Sequence, residues 1–170
     1  MIVDTPPLPP RPWWRRLDAR DLFQALSYLQ YPMMLAAAVF TVQAALAMLD
    51  LQATGWGPVI ERLNDVLLYA GVGIGLSSMQ DPRRTQNALS LRTWRDPAKG
   101  RLALWVIALE AFVPIVVGLV GAAQADDSAL RQLSLGLVAF GLGMLGLLKT
   151  AIEMREHHRI DRQPPTEHAP

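Results

Sequence analysis

Glu110 is the residue of this chain whose type and position point most directly to chemistry. It stands inside an apolar run, eight residues beyond Leu102, or about 12 Å along a helix rising 1.5 Å per residue. A carboxyl at that depth in a membrane is costly and usually faces a bundle interior or water. Two readings follow. In one, Glu110 is the proton or cation site of a small transporter or ion-conducting oligomer, with Lys149, Tyr69 and Gln43 lining the path. In the other it is a structural contact, paired inside the bundle with Lys149, Gln30, Gln43 or Tyr69. The structural reading is favoured, because transport chains usually carry more than one intramembrane ionisable group. Lys149, near the end of the last apolar run, either reaches inward to Glu110 or snorkels to the surface.

The remaining chemical inventory is sparse. The chain has no Cys, so disulfides, thiolate metal sites and cysteine nucleophiles are excluded. His157 and His158, with Glu153 four residues before His157, offer helix-face metal spacing, but such residues are common in soluble tails and no metal is expected. No His lies in an apolar run, which excludes bis-histidine haem ligation within a bilayer. There is no phosphate loop, zinc-protease helix or nucleophile elbow, so no enzyme activity and no cofactor is expected. Gly71-x-Gly73-x-Gly75 is not a dinucleotide fingerprint, because no strand precedes it and the spacing is wrong.

The elements that position these residues are four apolar runs, at 26–49, 63–79, 102–123 and 133–152. Hydrophobic residues make up 51% of the chain and charged residues only 18%, which is unusual for a soluble domain of 170 residues. Fourteen of the sixteen Lys and Arg fall in the N-terminal flank, the loop 81–101 and the C-terminal flank; only Arg62 and Arg131 lie in the other two connections. Loops rich in Lys and Arg stay cytoplasmic during insertion. The expected fold is therefore all-α: an integral membrane, antiparallel four-helix bundle with both termini cytoplasmic. Its spans are placed at 26–49, 59–80, 102–123 and 132–153, between a Pro- and Arg-rich tail (1–20) and a C-terminal tail (159–170). The first span is expected to serve as the insertion signal.

The second span is the weakest. Its uninterrupted apolar stretch, 66–79, would extend roughly 21 Å, short of a hydrocarbon core of about 30 Å. A re-entrant hairpin is the alternative, but it would leave the six basic residues of the 81–101 loop outside. Pro32 is expected to kink the first helix or to mark its junction with an interfacial segment. Asp81-Pro82 and Asp96-Pro97 each read as an N-cap followed by proline at the first helical position, opening a short surface helix and the third span. Asp126, Asp127 or Ser128 is expected to cap the fourth.

Small residues mark packing faces. Gly71 and Gly75 form a GxxxG pair, and Gly118 pairs with Ala122. Gly136, Ala139, Gly143, Gly146 and Thr150 recur at steps of three and four, a seam for a neighbouring helix. Trp13, Trp14, Arg83, Arg84, Arg92, Trp94 and Arg95 are read as contacts to lipid headgroups and the membrane interface. Topology already accounts for the basic charge, so nucleic acid is not an expected partner; lipid and either a membrane-protein partner or further copies of the chain are.

The stretches Ser77–Asn87 (SSMQDPRRTQN) and Gly146–Glu156 (GLLKTAIEMRE) resemble parts of small, uncharacterised bacterial membrane proteins. That resemblance implies a bacterial inner-membrane setting and carries no activity, cofactor or substrate. The function expected from the whole sequence is a non-enzymatic accessory or scaffold subunit of that membrane.

Overall fold

A computed structural model describes residues 19–79, 93, 94 and 96–158. Trp13, Trp14, Arg83, Arg84, Arg92 and Arg95, the surface helix expected after Pro82 and both tails lie outside the described residues. Among the described residues the regular structure is helical: α1 (Ala19–Ser27), α2 (Gln30–Leu49), α3 (Leu51–Thr54), α4 (Gly57–Ser77), α5 (Pro97–Gln124) and α6 (Ser128–His158). Three helical stretches are long and apolar enough to cross a membrane, namely Leu22–Leu49, Pro97–Gln124 and Ser128–Glu156. Helix α4 is 21 residues long but carries Glu61, Arg62 and Asp65 in its first half, which sets it apart from the other three.

Local chemistry explains the boundaries. Pro32 has no N–H to give the Tyr28 carbonyl, and its ring crowds that oxygen. The chain responds with a turn at Tyr28–Leu29, where the Tyr31 N–H donates to the Tyr28 carbonyl at 3.2 Å. The apolar stretch therefore divides into a nine-residue amphipathic α1 and a 20-residue α2 that begins at Gln30 rather than at 26. After α2 the single turn α3 ends at Gly55, whose φ of +72° suits a residue without a Cβ. Pro58 then occupies the first turn of α4. Asp96 caps α5, accepting from the N–H groups of Ala98 and Lys99 at 2.9 and 3.3 Å. Of the three candidates for α6, Asp127 takes the cap, with its side chain accepting from the Ala129 N–H at 2.9 Å.

The helices form an open row rather than the expected compact bundle. The packing order is α2–α4–α6–α5, and the two outer helices share no packed face. Contacts run in opposite senses along α2 and α4: Met34 meets Gly73, and Phe40 meets Tyr69. They also run oppositely along α5 and α6, where Gly100 meets Arg155 and Gly118 meets Ser134. Along the central pair they run together, with Asn64 beside Gly136, Gly71 beside Ala139 and Ser78 beside Gly146. The two central helices are thus parallel, the relation that the second and fourth of four alternating helices have, and each outer helix runs antiparallel to its neighbour. The physical cause lies in the distribution of small residues. Both α4 and α6 carry them on two faces, so each accepts two neighbours at close range. The outward sides of α2 and α5 carry Leu, Val and Phe that stay exposed, such as Leu35, Val42, Phe112 and Val116.

Candidate functional site

Glu110 is the fourteenth of the 28 residues of α5, at its midpoint, and it is exposed. The expectation that it faces the bundle interior is corrected by the packing of α5. That helix buries Gly100, Ala111 and Gly118 against its neighbours. Glu110 precedes Ala111 and so points about 100° away from the buried stripe. Lys149 is exposed as well, and its Nζ lies 2.9 Å from Glu153 Oε1, one turn along the same helix. Tyr69 stacks on Phe40 with ring centroids 5.2 Å apart, and Gln43 is half-buried on α2. The four residues occupy four helices, with Glu110 and Lys149 both exposed.

The small residues, by contrast, meet. A Cβ built on Gly71 would stand 2.6 Å from the Ala139 carbonyl oxygen and 2.6 Å from the Phe140 Cα, and one on Gly143 would run onto the Gly71 carbonyl. Gly136 faces the Asn64 side chain and Gly146 faces Ser78 Oγ, so the seam on α6 packs against α4. Gly118 meets the Ser134 carbonyl from the other side of α6, at 2.5 Å from a built Cβ. Gly75 has room, since its Cβ would lie 3.7 Å from the Gly143 Cα. Thr150 ties the pair with a hydroxyl that donates to the Ser78 carbonyl at 3.2 Å.

Three features were missed from the sequence. Arg62 lies over the face of Phe40, its guanidinium 5.8 Å from the ring centroid, and pairs with Asp65 at 3.3 Å. The Arg62–Asp65 spacing was legible, but Phe40 on another helix was not. Pro114 sits inside α5, and a proline there has no N–H for the carbonyl four residues earlier, which is that of Glu110. The signal was in plain view at one turn from the acid. Trp105 is 71% exposed beside Arg101, whereas Trp94, expected at the interface, is buried. Pro97, Ala98, Arg101, Leu102 and Trp105 line an open groove of about 440 Å³ at the start of α5.

Hydroxyls elsewhere are satisfied locally. Ser27, Thr41, Ser77 and Ser134 donate to carbonyls three or four residues back, at 2.6–2.8 Å. Among the described residues no three His, Asp or Glu side chains gather. The arrangement can hold helices together, and it turns the Glu110 carboxyl outward from the row.

Asp96 gives a pH-dependent test of the α5 cap. The Lys99 N–H, followed by that of Ala98, holds its carboxyl below the usual carboxylate range. A depressed folded pKa means the cap is fully present above the unfolded value and is lost as pH falls through the folded one. Protection of the Ala98 and Lys99 amides, measured against their intrinsic exchange rates at each pH, is expected to fall as the wild type is taken below the ordinary aspartate range. The Asp96→Asn protein should show no such acid step; an identical step in that variant would assign the loss to another group.

No protein-family model, curated protein or solved structure matches this chain.

Proposed function

We propose that this chain is a non-enzymatic accessory or scaffold subunit of a bacterial inner membrane, crossing four times with both termini cytoplasmic. The observation that carries the reading is the open row. Helices α2 and α5 each bury only 11% of their apolar window and keep a long face free for other proteins. The sorting of basic residues supports the orientation. A transport path would need Glu110, Lys149, Tyr69 and Gln43 on one route; against it, Glu110 is exposed on α5 at one end of the row while Gln43 lies on α2 at the other.

The test is the mass and composition of the complex extracted from native membranes in mild detergent through a C-terminal tag. A stoichiometric partner protein is the expected result. A chain that migrates without any partner, and whose proteoliposomes pass protons or cations in a manner abolished by Glu110→Gln, would overturn the proposal in favour of transport.

A further inference from the structure

We propose that the outward face of α5 is a self-association seam, on which a second copy of this chain packs its own α5 with the two Glu110 side chains meeting across a two-fold axis. The inference rests on the membrane reading above, because it needs both copies inserted in the same orientation.

The seam has a regular composition. Ala103, Val106, Glu110, Val113, Val117 and Val120 recur at alternating steps of three and four, the spacing that keeps one stripe facing a partner helix. The four valines are each about half exposed, so among the described residues the packing of α5 leaves them partly open. A single polar residue in such a stripe fixes register and oligomeric state. Here it stands at the midpoint of the helix, where lipid offers no hydrogen bond. Pro114 adds to the demand by withholding an N–H from the Glu110 carbonyl.

Equal depth identifies the occupant. Two copies inserted alike place each residue at the same height, and a two-fold interface brings a residue near the axis onto itself. The two Glu110 side chains then face each other, and each offers the other the polar partner that lipid lacks. The alternative surface within the chain, the outward face of α2, presents Leu35, Val39, Val42 and Leu46 around its centre. Its one exposed hydroxyl there, on Thr41, already donates to the Ala37 carbonyl at 2.8 Å. Neither lipid nor α2 satisfies the acid, and a second α5 does.

The absence of cysteine makes the test direct. Single substitutions Val106→Cys, Val113→Cys and Val117→Cys would be oxidised in native membranes and compared with Phe112→Cys, Val116→Cys and Leu119→Cys. Phe112 and Val116 match the depths of Val113 and Val117, Leu119 continues the same flank, and all three are comparably exposed on the other side of α5. Disulfide-linked species of twice the chain mass are expected from the first set and not from the second. In the Val113→Cys background, Glu110→Gln should keep the cross-link and Glu110→Ala should weaken dimerisation about three- to tenfold. Equal cross-linking on both flanks, no cross-link at all, or links only to a different protein would each overturn the seam. Links only to a different protein would leave the scaffold reading standing, while a self-linked dimer without any foreign partner would leave the seam and, if its proteoliposomes also conduct through Glu110, sink that reading.

Discussion

Gly143→Leu is expected to separate α4 from α6 and to remove most of the protein's resistance to SDS denaturation. A Cβ at this position runs onto the Gly71 carbonyl, which is backbone and cannot swing aside. Overpacking a side chain into a rigid contact costs about 1–3 kcal/mol, and more when backbones must move apart. Here the displaced groups belong to the central pair of the row, so the disturbance reaches both outer helices. Gly71→Ala should act in the same direction, since its Cβ would press on Ala139 and Phe140. Gly75→Ala is the contrasting variant. Its Cβ would find ordinary contact distance, and alanine favours helix over glycine by up to about 1 kcal/mol. Circular dichroism followed through an SDS titration would order the three. A Gly143→Leu protein as resistant as the wild type would show that the close approach of α4 and α6 is not what holds the row.

The small-residue code was the most legible part of the site, for a physical reason. Helix–helix contact in this chain depends on where backbones can approach, and the steps of three and four in α6 record that directly. The existence of the helices and the caps at Asp96 and Asp127 were also written in local sequence. Neighbour identity was not. The sequence places Gly71 and Gly75 on one face of α4, but nothing in it says that Gly73, on the opposite face, receives Met34 of α2. The open end of the row was equally hidden. Glu110 was expected to turn inward because acids in membranes usually do, yet its direction is set by Ala111 and Gly118, the small residues α5 presents to α6. A reading that had followed this stripe, and had counted Pro114, would have aimed the acid outward.

Topology is the second large effect, and it turns on α4. A reporter fused after Glu61 is expected to be active only on the periplasmic side, and one fused after Lys99 only in the cytoplasm. The charges in the first half of α4 weaken its apolar signal, and taken alone the helix invites a model with three crossings. Packing argues otherwise. Phe40 stacks on Tyr69 and Met34 reaches Gly73, so α4 lies alongside the middle of α2 over several turns and not beneath it. If α2 crosses, a helix held flush against it in the opposite sense crosses as well. The parallel partner α6 then crosses in the same direction as α4, and α5 returns in the direction of α2. That alternation delivers the loop 81–101 and the C-terminal flank to the same side, which is where the basic residues have been sorted. Arg62 does not stand alone in that crossing, since Asp65 pairs with its guanidinium and the face of the Phe40 ring lies beneath it. Both reporters on one side would mean that α4 does not cross and that α5 and α6 run the other way; the equal-depth argument for Glu110 would survive, because two copies inserted alike still place it at one height.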